Sequence, residues 1–218
     1  MDKIKPLSWS ELDCFETDRD KWYARYIVGI KDPPTPAMQR GTDLHEMLGT
    51  TDSQMMKDVM AEQAKRYSPD EIRCHEKILS TFQSTLLVEL PGIRFEKPVT
   101  CIVEDVPTVG YWDGFDESGN RDERHTIIEI KTGSILWTEE RASQHGQLAF
   151  YASQWLEMYT DKIRLPLFVL FSASTKNGRC VTHNIEIDRE QIAQMRYRIK
   201  KASTDMGNLW RCRISSKV

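Results

Sequence analysis

The chain has 218 residues, 39% of them hydrophobic and 29% charged, the balance of an ordinary globular domain large enough to bury a core without staples. Its net charge of −3 sets up no global basic field for nucleic acid, and no apolar run is long enough to span a bilayer. The five cysteines (Cys14, Cys74, Cys101, Cys180 and Cys212) are odd in number and form no C-x-x-C pair, which argues for reduced thiols and against a disulfide framework or a zinc site.

The N-terminal M-D-K-I-K-P-L-S lacks the apolar stretch of a signal peptide, so a cytoplasmic location is the expectation. S-W-S-E at 8–11 is a capping-box pattern and opens an amphipathic helix running to about Ile27. The prolines of K-D-P-P-T-P at 31–36 bar helix and favour an extended connection. Residues 38–48, 52–66 and 69–88 read as helices. Residues 93–104, 107–116 and 125–131 are rich in Val, Ile, Thr and aromatics with turn residues between them, which predicts a three-stranded meander.

A long helix is expected over about 138–160. L-P-L-F-V-L-F-S-A at 165–173 suits a strand buried on both faces. A further strand follows at 179–187, then a basic helix at 188–206. The order predicts one α/β domain, a mixed sheet of about five strands flanked by helices. Its parts are a helical N-terminal region to residue 90, a sheet-bearing core over 91–190 and a basic C-terminal segment over 191–218.

Chemistry-bearing residues recur along this frame. In T-I-I-E-I-K-T-G-S at 126–134, Glu129 and Lys131 share one strand face and Ile128 and Ile130 the other. A solvated edge strand would look the same. Asp113, in G-Y-W-D-G-F, either ends its strand or, if 107–116 and 125–131 are hairpin neighbours, joins Glu129 on one face. Two carboxylates that close repel unless a proton or a cation lies between them, and hard oxygens suit Mg²⁺ or Mn²⁺. His45, in R-G-T-D-L-H-E, lies one turn into a helix with Asp43 and Glu46 on other faces, a position open to a surface residue or a ligand. Gln144, Gln147 and Tyr151 stand at i, i+3 and i+7 and would share a face of the long helix.

Residues 191–218 hold seven basic residues, among them Arg196, Arg198, Lys200, Lys201, Arg211, Arg213 and Lys217, against Asp205 alone. That is a net +6, which leaves −9 on the rest of the −3 chain. Such a segment suits either a localised anionic partner or a solvated helix face. Trp9, Trp22, Tyr23 and Tyr26 interleave with Lys21 and Arg25, a pattern shared by single-strand binding paths and by packed helices. No helix-turn-helix, zinc-finger or Walker-type sequence is present.

Taken together, Gly41 to His45 (G-x-x-x-H), Asp113 (G-Y-W-D), Glu129 and Lys131 (E-I-K) and Gln147 with Tyr151 (Q-x-x-x-Y) resemble the RecB-type branch of the PD-(D/E)XK nucleases. S-W-S-E-L-D-C-F and K-W-Y-A-R-Y-I resemble that branch's N-terminal segment. The resemblance spans roughly residues 8–190, in family order. Each motif is weak singly and the set is specific.

The resemblance implies a restriction-endonuclease-like core and hydrolysis of DNA. Asp113, Glu129, the Ile130 carbonyl and His45 would hold Mg²⁺ or Mn²⁺, and Lys131 would orient water or offset charge. Gln147 and Tyr151 would position the strand being cut, with Glu96 as an accessory acid; Arg196 and Lys200 of the basic segment are expected, from its charge, to bind the DNA. Two departures stand out. Trp112 replaces the proline before Asp113, and only Cys14 and Cys212 lie near the four cysteine positions of the iron–sulfur members, so no cluster is expected.

The expected activity is a metal-dependent exonuclease on single-stranded or duplex ends, in recombination, repair or phage DNA processing. A separate recombination or helicase protein would be its partner, no membrane would be involved, and oligomeric state is left open. The alternatives are a structure-specific endonuclease, a non-cutting DNA-binding module, or another metalloenzyme built on His45, His125 or His145 with Asp113.

Overall fold

The computed structural model describes residues 5–50, 53–121, 124–159 and 164–215, the side chains of 53, 119–121 and 210–215 excepted. Arg211, Cys212, Arg213 and Lys217 therefore lie outside the described side chains. The five expected strands are present as β2 (Arg94–Val103), β3 (Val106–Arg121), β4 (Arg124–Gly133), β5 (Leu167–Ser174) and β6 (Cys180–Ile185). A sixth, β1 (Leu7–Ser8), is too short for a period-2 pattern to reveal; it pairs in parallel with Thr108 and Val109 of β3.

β2 and β3, β3 and β4, and β5 and β6 are antiparallel, whereas β4 and β5 run parallel. All eight residues of β5 are buried, as its unbroken apolar run requires of a central strand. One core cluster unites Ile127, Phe168 and Leu170 with Leu12, Phe150, Trp155 and Met195. The other unites Ile128, Ile130, Val169 and Phe171 with Leu44, Met47, Ile78 and Phe82. The chain is thus a single α/β domain of three layers, with the mixed sheet between two helical layers.

One feature of the sheet positions the site. β2 occupies one edge of β3 from Val106 to Phe115. The other edge is shared by β1, at Thr108–Val109, and β4, whose ladder ends at Gly114↔Ile128. Between these two partners, residues 110–113 have no strand on that side. α7 (Gly146–Met158) packs close to this stretch: a Cβ at Gly110 would lie 2.8 Å from Gln154 Oε1, which would have to shift.

Two expected helices are broken. The first is α1 (Trp9–Thr17), then α2 (Arg19–Trp22), then a widened turn over Tyr23–Val28. Asp18 is extended, with φ −153 and ψ 96, and its carboxylate accepts from Lys21 N at 2.9 Å, so it caps a new helix and stops the old one. The helix expected at 138–160 is α6 (Glu139–Ser143) and α7, parted at Gln144 and His145. Here Trp9 lies so close to Gly146 that an added Cβ would be 2.4 Å from its indole. α3 (Pro36–Gly49), α4 (Ser53–Gln63) and α5 (Pro69–Phe82) follow the expected pattern, α5 ending early in a widened turn over Gln83–Leu87. The basic helix, α8 (Arg189–Ser215), is longer than expected.

Asp43 ties α3 to α4 and to the connection that follows it. Its carboxylate accepts from Tyr67 OH, Arg66 and Gln39 Nε2, while its backbone oxygen accepts from Gln63 Nε2 at 2.8 Å. It is 2% exposed, and burial, then the Asp43 carboxylate, pushes the Tyr67 hydroxyl up to about 12. A buried acceptor with a charged and a phenolic donor is costly to delete, since both donors lose a charge-assisted bond. Asp43→Ala should lower unfolding free energy by about 2 kcal/mol or more, read by urea denaturation. A midpoint equal to that of the wild-type chain would show that the cluster does not hold these helices together.

Candidate metal and active site

The site forms where β3 and β4 part. Asp113, one residue past the last ladder pair, turns its carboxylate onto β4, and Oδ2 accepts from Ile130 N at 2.7 Å. The side chain thus replaces the backbone acceptor that the parting removes. Glu129 and Lys131 face away from Ile128 and Ile130, as the strand period requires. Glu129 is 2% exposed, with Oε1 2.6 Å from Lys131 Nζ and Oε2 buried without a partner.

The helices complete the ring from both layers. α3 brings His45, whose Nδ1 is 3.7 Å from Asp113 Oδ1 and whose ring hydrogen-bonds the Ile130 backbone. Gly41 lets α3 lie this near β4, since a Cβ there would be 3.0 Å from Thr132 Oγ1. α7 brings Gln147, whose Oε1 accepts from Lys131 Nζ at 2.8 Å, and whose Nε2 donates to Tyr151 OH at 2.6 Å. Tyr151 OH in turn donates to Tyr111 O at 2.8 Å, satisfying a carbonyl on the unpaired stretch of β3. His145 reaches the same Gln147 oxygen through Nε2 at 3.1 Å.

Glu96 comes from β2. It lies between the pairs Phe95↔Gly114 and Lys97↔Trp112, hence across from Asp113, and its φ of 49 puts it in the left-handed region. A non-glycine residue held there stores strain of order 1 kcal/mol or more. Donor atoms of His45, Glu96 and Asp113 all fall within 4.8 Å of one another, the single such group among the described residues. Nothing in the sequence foretells the backbone at Glu96.

Burial dominates the electrostatics. It pushes the Asp113 carboxyl up to about 7 against the pull of the Ile130 N–H. Burial, joined by the Asp113 charge, does the same to Glu129. Desolvation lowers His45 despite Glu129 and Glu96 nearby, and lowers His145 to about 4 with help from Lys131. Tyr151 is pushed far up by burial and then by Glu129, so it stays a phenol. The chemistry of the donors, buried Glu129 with an orphaned oxygen and half-buried Asp113 beside an imidazole and the exposed acid Glu96, fits a hard divalent cation.

Of the expected site residues, His45, Asp113, Glu129, Ile130, Lys131, Gln147 and Tyr151 come together. Gln144 does not join the Gln147 face, because the helix breaks after it. Arg196 and Lys200 lie elsewhere. Arg196 pairs with Glu104 and Glu157, and Lys200 binds Glu104 O and Asp105 Oδ2, both at 2.9 Å. Glu104 and Asp105 form the β2–β3 turn, with φ of 50 and 63, so these cations fasten α8 to a strained turn. Eight strand residues, about 26 Å, separate that turn from Glu96. Arg198 and Lys201 pair with Glu16 and Asp205, so the four charges are matched by acids on the described body and helix. His125 sits apart, its ring edge-on to Tyr159, Phe115 and Trp155.

Comparison with known proteins adds a family. The profile of the PD-(D/E)XK nuclease superfamily matches residues 6–214. The fold is similar to a crystal structure named "Putative exonuclease" from Eubacterium rectale, at TM-score 0.64 and 10% identity, over 95% of this chain and 81% of that one. The structure of SSO0001 aligns at TM-score 0.36 and 15% identity, over 85% of this chain and 82% of that one, too distantly to bear on the argument. No curated protein matches the sequence.

The raised carboxyls have a consequence for stability. The folded protein, free of cations, takes up these protons more readily than the unfolded chain does. That contribution is complete below about pH 4, the unfolded carboxyl range, and is lost as pH climbs through about 7. The melting temperature in EDTA should therefore fall from about pH 5 to about pH 8, and Mg²⁺ or Mn²⁺ should restore most at the upper end. The double variant Asp113→Asn, Glu129→Gln should flatten the profile; an unchanged slope would place the ionisation elsewhere.

Proposed function

The chain belongs to the PD-(D/E)XK nuclease superfamily, and from that premise we propose that it is a divalent-metal-dependent exonuclease that hydrolyses DNA from free ends. The observation that carries the reading is the carboxylate pair at the parting of β3 and β4, Asp113 half-buried and Glu129 buried, with Lys131 beside them. A fold kept merely for binding has no use for two acids pushed toward neutrality inside a sheet. Asp113, Glu129 and His45 would hold the cation, with Glu96 and the Ile130 carbonyl next to it. When bound, the cation supplies the charge that activates water and offsets the phosphate.

The remaining work falls to the chain's own groups. The Lys131 ammonium, fixed by Glu129 Oε1 and Gln147 Oε1, stands ready to stabilise negative charge growing on the phosphate or to orient the attacking water. Gln147 holds that ammonium in place, Tyr151 holds Gln147, and the pair would position the strand being cut. Imidazole among the donors softens the set, so Mn²⁺ should support turnover at least as well as Mg²⁺. Arg196 and Lys200 have no part in this reading, since they fasten α8. The four described thiols, Cys14, Cys74, Cys101 and Cys180, are free, and no iron–sulfur cluster is invoked. Degradation from ends suits recombination, repair or phage DNA processing, with unwinding supplied by a separate helicase.

Digestion of end-labelled linear DNA and of covalently closed circular DNA, in Mg²⁺, Mn²⁺ or EDTA, tests the reading. Linear DNA should be reduced to small products in either metal and survive in EDTA, and the circle should resist. Glu129→Ala and Lys131→Ala should each lower the rate by about 100-fold or more, and His45→Ala should raise the metal concentration for half-maximal rate. A circle cut as fast as the linear form would make the enzyme an endonuclease. Near-normal turnover in Glu129→Ala would remove the pair from the mechanism.

A further inference from the structure

Beside Lys131 the structure opens a cavity of about 560 Å³ that the hydrolytic groups do not use, walled by Trp137, Thr138, Glu140, Arg141, Gln144 and His145. Its volume falls within the range of small-molecule sites. Its principal wall is rigid. Trp137 N donates to Ser172 Oγ on β5 at 2.9 Å, and Trp137 O accepts from His183 Nε2 on β6 at 2.9 Å. The indole is therefore anchored to two strands of the sheet although it belongs to a connecting segment.

Around the indole the groups are flat or cationic. The Arg141 guanidinium lies over the ring at 4.0 Å from its centroid, and the His145 ring stands edge-on at 4.8 Å. His145 also meets Trp9 edge-on at 5.8 Å and hydrogen-bonds Gln147. Lys131 Nζ is 5.6 Å from the Trp137 centroid, so the cavity adjoins the site where the phosphate would be cut. An arginine over a tryptophan is a common surface decoration. A decoration does not need a backbone tied at both ends, and it does not adjoin a buried acid pair.

We propose that this cavity is a nucleobase subsite: it takes the base of the nucleotide adjoining the cut phosphate, stacked against Trp137 and the Arg141 plane, once that base has left the duplex. The inference rests on the nuclease reading and adds a substrate form to it. An aromatic face and a guanidinium plane bind any base through stacking and are indifferent to its identity. The Glu140 carboxylate on the wall disfavours a second phosphate there, so a base is the better occupant. A base admitted this way must be unpaired, which makes a single-stranded or frayed end the preferred substrate and leaves sequence unread.

The test measures binding in EDTA, so that no cutting is required. Short single-stranded oligonucleotides carrying one abasic residue, walked from the end, are titrated by fluorescence anisotropy against wild type, Trp137→Ala, Trp137→Phe and Arg141→Ala. Wild type should show one position where the abasic residue weakens binding by on the order of 10-fold. Trp137→Ala should lose that penalty, Trp137→Phe should keep most of it, and Arg141→Ala, an exposed change that leaves the fold intact, should reduce it. A wild type with no sensitive position, or a Trp137→Ala with the same penalty, overturns the subsite even if the protein degrades DNA normally. A sensitive position that depends on Trp137 in a protein that never cuts supports the subsite and overturns the nuclease reading instead.

Discussion

The site depends on one interruption of hydrogen bonding. β3 has a partner on one side throughout its N-terminal half, but on the other side β1 stops at Val109 and β4 begins at Gly114. Backbone groups inside a protein must find partners, and here side chains supply them. Asp113 takes the Ile130 N–H and Tyr151 gives its hydroxyl to the Tyr111 carbonyl. The carboxylate is therefore held inside the sheet by the same bond that closes the gap, and the largely buried helix α7 reaches the unpaired stretch through Tyr151.

That arrangement is expensive for charge. Two carboxylates are driven toward neutrality by burial, Glu129 Oε2 has no partner, and Glu96 is held in a strained backbone state across from Asp113. Buried unpaired charge costs several kcal/mol per group in proteins, and the surroundings tolerate it because both core clusters lock the strands. Lys131 compensates one oxygen of Glu129 only. A cation drawn to Asp113, Glu129 and His45, with Glu96 beside it, would satisfy what remains, so the frustration of the site and its fitness for a divalent ion have one physical origin. The strain at the far β2–β3 turn is answered differently, by Arg196 and Lys200 on α8.

Much of this was legible because periodicity determines which way a strand residue points. Glu129 and Lys131 had to share a face, a hairpin between 107–116 and 125–131 would bring Asp113 near Glu129, and the apolar run at 165–173 suited a central strand. What escaped the sequence lay at breaks and in long-range pairing. Asp18 reads as one more polar helix residue until its carboxylate is seen capping Lys21 N. The division at Gln144 and His145 follows from Trp9 pressing on Gly146, a contact between residues 137 positions apart. The net +6 of the C-terminal segment suggested a polyanion, but a charge excess does not reveal its partners, and Glu16, Glu104, Asp105 and Glu157 pair with Arg196, Arg198 and Lys200. Trp137 carried no pattern at all, since its role depends on Ser172 and His183 in distant strands.

Anomalous diffraction from crystals grown with Mn²⁺ tests the central claim most directly. A single strong peak should lie among Asp113, Glu129, Glu96 and His45, within coordination distance of at least two of their donor atoms. Asp113→Asn crystals treated in the same way should lack it. Crystals of the wild-type chain with manganese bound only elsewhere, and with the gap between β3 and β4 unchanged, would contradict the account.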